Sequence, residues 1–135
     1  MQIRRLFEGS PMGILVSEPS GRILFCNQRH ADILGISAVE ALGRNARDFH
    51  LEPERRDRAV AEALATGRPV SAEIPRLSGK DGLRWYRVTW AHQIFAGRHA
   101  LVAWTLDVTD RHAADEAAAQ ARQAAPIPQP GEAMA

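Results

Sequence analysis

Only one cysteine, Cys26, occurs in the 135 residues. A lone thiol cannot close an internal disulfide, and it cannot supply the several thiolates at set spacings that a cysteine-based zinc site requires. An excess of one charge is also missing: 17 Lys and Arg stand against 16 Asp and Glu, interspersed, for a net charge of +1. No basic stripe interleaves with aromatics, so nucleic acid is not expected as a main partner. No apolar run reaches the length of about 18 residues that a membrane span needs, and no membrane partner is expected. The first residues lack the charged start, apolar run and small-residue cleavage site of a secretion signal, which points to the cytosol. Three signatures of catalysis are absent as well: a Ser-His-Asp order with its supporting elbow, a phosphate-cradling glycine loop and paired carboxylates. Gly79 and Gly82 flank a turn and open no helix. No catalytic residue is assigned, and an enzyme is not expected. The five histidines show no i, i+4 pair on one helix, so no metal site is assigned either.

What the chain does have is a long antiparallel hairpin running straight into a helix, from Asp81 to Arg111. Tyr86, Val88, Trp90 and Ile94 fall on one row and Arg87, Thr89 and Gln93 on the other, the period-2 pattern of a half-buried strand. Ala96-Gly97 provides the turn. The return run, His99 to Val108, is apolar on both rows, which predicts a central strand covered on both faces. Asp107-Val-Thr-Asp-Arg111 then offers N-cap oxygens to an Ala-rich helix.

Upstream, residues 1–8 put Ile3, Leu6 and Phe7 at helical spacing, which reads first as a packed amphipathic N-terminal cap and, as the sharper alternative, as a cover for the outer sheet face near Trp104 that joins a dimer seam. Ile14–Ser17 and Arg22–Cys26 form a hairpin around Glu18-Pro-Ser-Gly21. Asn27 caps a helix carrying Ala31, Ile33 and Leu34 up to Gly35. Ser37 and Glu40 stand in capping-box register for a short second helix. After a single-turn segment at 43–49, Glu52-Pro53 starts the longest internal helix, ending at Gly67. Its buried side should carry Val60, Ala63 and Leu64, with Arg55, Arg56, Asp57 and Arg58 solvated. Arg68–Leu77, with Pro69 and Pro75, suits an edge strand. The order is β β α α α α β β β and a final helix, an α+β fold. Four segments are expected: the cap (1–8), a main domain (9–110), a helix (111–125) and a flexible Pro-rich tail (126–135), the tail being either a true C-terminus or the start of a linker.

Six pieces in register resemble the PAS sensory domain: Ser10-Pro-Met-Gly-Ile-Leu-Val, Gly21-Arg-Ile-Leu-Phe-Cys-Asn27, Leu34-Gly35, Glu40-Ala-Leu-Gly43, Asp81-Gly82 before Trp85, and Asp107-Val-Thr-Asp-Arg111. The resemblance implies a five-stranded antiparallel sheet with helices on one face around a ligand pocket, and dimerisation through the other face. It places Tyr86, Val88, Trp90, Leu101, Ala103 and Thr105 towards the helices. Val102, Trp104 and Leu106 would face outward and, with Phe7, form the cover or dimer seam. Asp107, Thr109 and Arg111 fall on the family's junction motif, which links the last strand to a signalling helix in sensor histidine kinases, cyclic-dinucleotide enzymes and transcriptional regulators. A cytosolic sensory and dimerisation module is therefore expected, with a homodimer, a small-molecule ligand and an output domain as partners. The alternative is a ligand-free structural interaction domain, which the bulk of Tyr86 and Trp90 on the inner row favours.

Gly43-Arg-Asn-Ala-Arg47 also resembles the flavin signature of the light-oxygen-voltage subclass, Gly-x-Asn-Cys-Arg-Phe-Leu-Gln. Ala46 stands where the photoreactive cysteine belongs, so cysteinyl-flavin adduct chemistry is ruled out. The subclass has Asn where this chain has Tyr86 and Gln where it has Thr105. The candidate pocket residues are Asn45 and Arg47, which remain of this signature, with Tyr86, Trp90 and Thr105, which the PAS resemblance turns towards the pocket. The plainer reading of Asn45 and Arg47 is that they cap and brace a helix turn. His50 is where a haem ligand would lie, but an exposed loop residue is the simpler reading. Flavin and haem are both disfavoured, and no cofactor is assigned. His92 reads as a core or rim histidine, and His30, His99 and His112 as solvent-facing. Cys26 reads as a small buried hydrophobe.

Overall fold

The computed structural model describes residues 10–78 and 82–124. The N-terminal cap with Phe7 and the tail from 126 onward lie outside them. The strands are β1 (Gly13–Ser17), β2 (Ile23–Cys26), β3 (Val70–Ser78), β4 (Gly82–Phe95) and β5 (Arg98–Asp107). Between β2 and β3 come helices α1 (Gln28–Leu34) and α2 (Ala38–Ala41), a 3-10 turn (Ala46–Phe49) and α3 (Pro53–Thr66), and α4 (Thr109–Ala124) follows β5. All pairings are antiparallel in the order β2-β1-β5-β4-β3. β5 is thus central and β3 an edge, where Pro75 is tolerated because half of the edge strand's amides need no partner.

The sheet's inner face packs on α1, α2 and α3 through Leu15, Ile74, Tyr86, Val88, Trp90 and Leu101. The outer face carries its own cluster of Ile14, Val16, Phe25, Ala100 and Val102, with Trp104 partly buried against it. Both rows of β5 are therefore buried over Ala100–Ala103, as its two-sided apolar run requires. Ile94 departs from its row and is exposed, because it sits beside the tip of the β4–β5 hairpin, beyond the reach of the helices.

Local chemistry fixes the helix ends. Asn27, fully buried, accepts the amides of His30 (2.9 Å) and Ile14 (2.9 Å) through Oδ1 and donates Nδ2 to the Met12 carbonyl (3.0 Å). One side chain thereby caps α1 and ties it to β1. Ser37 Oγ accepts the Glu40 amide at 3.0 Å, half of the expected capping box. The face of α3 differs from expectation. Arg56 is buried and Leu64 is 42% exposed, because the packed stripe is Arg56, Ala59, Val60 and Ala63 and Leu64 falls to one side of it.

Candidate functional site

β1 begins at Gly13, opposite Thr105, so Leu106 and Asp107 of β5 run on past the end of β1. A cleft of about 400 Å³ opens there. Its walls are Pro11, then Arg29, Asp32 and Ile33 of α1, Arg84 and Tyr86 of β4, and Thr105, Leu106 and Asp107 of β5. Thr105 is 1% exposed and its Oγ1 has no hydrogen-bond partner. Beside it, the His30 ring rests on Gly13, where a Cβ would stand 3.1 Å from His30 Nδ1. A side chain there would require the His30 ring and α1 to give by a few tenths of an ångström. Neither ring nitrogen of His30 has a partner, although the residue is completely buried.

Further along the inner face the sheet carries an unusual charge. Arg76 continues the row of Ala72 and Ile74 on β3 and is 4% exposed. Its Nη2 lies 3.4 Å from His50 Nε2, its Nε has no partner, and no carboxylate among the described residues pairs with it. Burial lowers its pKa to about 10, with Tyr86 opposing the shift and Arg56 adding to it. Arg56 is also buried, and its ion-pair partner among the described residues is Asp57, at 3.8 Å. Burial, and then the charge of Arg76, push His30 down to about 3. Burial, Arg76, Arg56 and His30 together push His50 down to about 2. At neutral pH the interior therefore holds cationic guanidinium beside two neutral imidazoles.

These placements correct two expectations. His30 is buried rather than solvent-facing, because it shares a helical face with Ile33 and Leu34. His50 is largely buried rather than an exposed loop residue, with its ring 6.4 Å from that of Trp90.

At the cleft's other wall the strand-to-helix junction is tied down by hydrogen bonds. Asp107 Oδ2 accepts from Arg84 Nε at 2.7 Å, and Oδ1 accepts the Thr109 amide at 2.9 Å. Desolvation raises the Asp107 pKa, but the hydrogen bonds from Arg84 and Thr109 outweigh it and hold the carboxyl below its ordinary value. Thr109 Oγ1 accepts the Trp85 amide at 2.9 Å and donates to the Trp85 carbonyl at 3.4 Å, and that carbonyl also accepts the Val108 amide at 2.8 Å. His112 stacks on Trp85 with ring centroids 4.0 Å apart, and Arg111 pairs with Glu73. The first turn of α4 is thus fastened to β4 and β3, whereas no residue of α4 is buried.

The structure therefore brings Tyr86, Thr105 and Asp107 to one cleft, with Thr109 directly behind. Trp90 lies deeper, in the core. Asn45 and Arg47 lie elsewhere. Asn45 Oδ1 caps the 3-10 turn through the Arg47 amide (3.0 Å) and its Nδ2 reaches the Ser20 carbonyl (3.2 Å), while Arg47 Nε spans both oxygens of Asp57 at 3.0 and 3.3 Å. Arg29, Asp32, Arg84 and the buried Arg76 were not among the expected site residues. Arg76 had a legible signal, an arginine on the apolar row of a strand. No group of three or more His, Cys, Asp or Glu side chains among the described residues is placed to hold a metal.

The family model of the PAS fold matches residues 7–113. The chain belongs to the PAS family. Structural neighbours agree. An RNA-binding light-oxygen-voltage receptor is 25% identical with a TM-score of 0.74, over 90% of this chain and 37% of the receptor. This PAS domain thus spans little more than a third of that receptor's length. The PAS domain of an HTR-like protein from Haloarcula marismortui is 25% identical with a TM-score of 0.64, covering 78% of this chain and 88% of that one. The PAS domain of a LuxR-family transcriptional regulator from Burkholderia thailandensis, solved in complex with ethanol, shares the fold at 21% identity and a TM-score of 0.64, over 80% and 98% of the two chains. A search of curated proteins finds no match. PAS domains are sensory modules, and no helix among the described residues of this one is long and apolar enough to cross a membrane.

Proposed function

We propose that this PAS domain is a non-catalytic, cytosolic sensory and dimerisation module of a signal-transduction protein, and that occupancy of the Tyr86–Thr105 cleft is relayed through Asp107 and Thr109 to α4. The observation that carries this reading is the double use of Asp107, whose side chain both lines the cleft and accepts the Thr109 amide at the start of α4. A ligand that draws on Arg84 or Asp107 competes with the bonds that hold the helix start in place. It switches the domain only by favouring one arrangement of that junction over the other. Sensor histidine kinases, cyclic-dinucleotide enzymes and transcriptional regulators are the settings in which such a junction has an output domain to move. Of the outer row, Trp104 and Leu106 are the proposed homodimer seam, since Leu106 is 47% exposed next to the half-buried Trp104, whereas Val102 is already buried in the outer-face cluster.

The relay is tested by filling the cleft from within. Thr105→Met places a longer apolar side chain where the hydroxyl now points, and amide exchange over the first turn of α4 is expected to rise. In a Thr109→Ala background the same substitution is expected to add nothing. Equal exchange in Thr105→Met and wild type refutes the relay. A second reading, a ligand-free interaction domain, draws support from the complete burial of Tyr86 and Trp90, which fill the middle of the core. Native mass spectrometry separates the two: a constant dimer that carries no added mass under any condition favours the interaction domain.

A further inference from the structure

At the end of the β4–β5 hairpin opposite to the cleft, two imidazoles meet. His92 pairs across the ladder with Leu101 and His99 with Ile94, so the two histidines are diagonal neighbours on one face of the sheet. His92 Nε2 stands 2.9 Å from His99 Nδ1, with the ring planes within 11° of each other and the centroids 5.0 Å apart. His99 is exposed and His92 half-buried, so solvent and solutes reach the pair. The neighbouring cation, Arg98, is held by Glu18 at 3.1 Å, which lowers the repulsion that a second positive charge would meet here.

We propose that His92 Nε2 and His99 Nδ1 form a two-nitrogen clip for a late first-row transition metal ion, Cu²⁺ in preference to Zn²⁺. Imidazole nitrogen is a ligand suited to both ions, and the remaining positions are left to water. The separation of the two nitrogens favours copper. Metal–nitrogen bonds of about 2.0–2.1 Å set at right angles, as in a tetragonal site, place neighbouring nitrogens roughly 2.9 Å apart, whereas tetrahedral angles spread them to roughly 3.4 Å. The observed 2.9 Å is the tetragonal spacing, reached once each ring turns to aim its lone pair at the shared metal. Without metal, one of the two facing nitrogens carries a hydrogen and the other a lone pair. Metal binding needs a lone pair on both. The donor ring therefore gives up its facing hydrogen and takes one on its other nitrogen, a change of tautomer with no net proton released.

The test titrates copper(II) sulfate into the full chain in a weakly coordinating buffer, with zinc sulfate as the tetrahedral competitor and magnesium chloride as the hard-cation control. Electron paramagnetic resonance reports how many imidazole nitrogens bind the copper, and calorimetry gives the affinities. A saturable copper signal with two imidazole nitrogens is expected, with weaker binding of zinc and none of magnesium. His92→Gln and His99→Gln are each expected to weaken copper at this site by at least about 10- to 100-fold, the loss typical of removing even an outer partner of a metal ligand. His112→Gln, at the base of α4, is expected to leave it unchanged. Where His92→Gln does not fold, His99→Gln at the exposed position decides. No saturable copper binding overturns the clip, as does a two-nitrogen signal that either variant retains in full or that depends on His112. Zinc binding as tightly as copper overturns the choice of metal.

Discussion

Acidification from pH 7 to pH 5 is expected to destabilise this domain far more than its carboxylates account for. His30 and His50 both have folded pKa values depressed below 6.5, to about 3 and about 2, chiefly by burial and then by Arg76. Below 6.5 the unfolded chain takes up protons that the folded one refuses. The stability these groups contribute is therefore complete above pH 6.5 and is lost as pH falls towards the folded values. Each depressed histidine costs about 1.4 kcal/mol per pH unit in that window, or about 2 kcal/mol between pH 7 and pH 5. Together they remove roughly 3–4 kcal/mol, allowing for water at the partly exposed edge of His50, from a total stability of about 5–15 kcal/mol. Asp107 does not contribute there. Its lowered pKa gives stability that is present above the ordinary carboxylate value and lost only below it. Urea titrations at the two pH values measure the effect, and the midpoint is expected to fall by about 1–3 M. In His30→Leu the loss between pH 7 and pH 5 should shrink by about 2 kcal/mol, whatever the substitution does to absolute stability. A midpoint unchanged from pH 7 to pH 5, or a His30→Leu variant with the full wild-type loss, refutes the buried neutral pair.

Three further substitutions test the frame around the site. Gly21→Ala should severely destabilise the fold, by about 3 kcal/mol or more, because the residue sits at φ +104 and the new Cβ would meet Asn45 Oδ1 at 2.4 Å; a small change in melting temperature contradicts that packing. Asn27→Ala should cost about 2–4 kcal/mol by orphaning the buried amides of Ile14 and His30 together, measured by urea denaturation. Ala96→Asn should raise stability by about 0.5–1 kcal/mol, since Ala96 holds φ 50 in the turn before Gly97, and thermal denaturation reads the gain.

The order of elements along the chain and the helix caps could be read from the sequence because they are local. The alternation of Tyr86, Val88 and Trp90, the Asn27 and Ser37 caps and the glycines after α1 and α3 each depend on a few neighbouring residues. Burial of polar groups was misread, although the same periodicities held the answer. His30 stands three and four residues before Ile33 and Leu34. Arg56 stands three, four and seven before Ala59, Val60 and Ala63. Arg76 follows Ala72 and Ile74 at intervals of two. Each belongs to an apolar face by spacing, and each is buried. A polar setting suggested solvent for His30 and charge suggested it for Arg56, Arg76 was given no role, and in all three the spacing prevailed. Asn45 and Arg47 show the converse. The motif around them resembles a flavin site, but Asn45 caps the 3-10 turn as the plainer local reading expects, while its bond to Ser20 and the Arg47–Asp57 pair are contacts with a distant loop and helix that no local pattern reveals.

The buried polar cluster and the junction to α4 meet on the two strands between them. Tyr86 is the Cα partner of Asp107, and Arg84 is the Cα partner of Arg76, so the inner charge and the outer clasp occupy adjacent positions of one ladder. Arg84 is where they join, since it lines the cleft, sits opposite Arg76 and donates to Asp107. Under the proposed relay, a ligand in the cleft that draws on Arg84 weakens its bond to Asp107, and one that leaves Arg84 alone keeps it intact. The sign of the response thus depends on ligand geometry, while its size is bounded by the bonds at stake. Coupling energies between sites of this kind are about 1–3 kcal/mol, a roughly 5- to 150-fold shift in equilibrium. Because α4 buries no residue of its own, the proposed relay would act on an element that, among the described residues, is held to the sheet by Thr109, Arg111 and His112. A helix secured through one turn is responsive to a change of this size, where one packed along its whole length would not be.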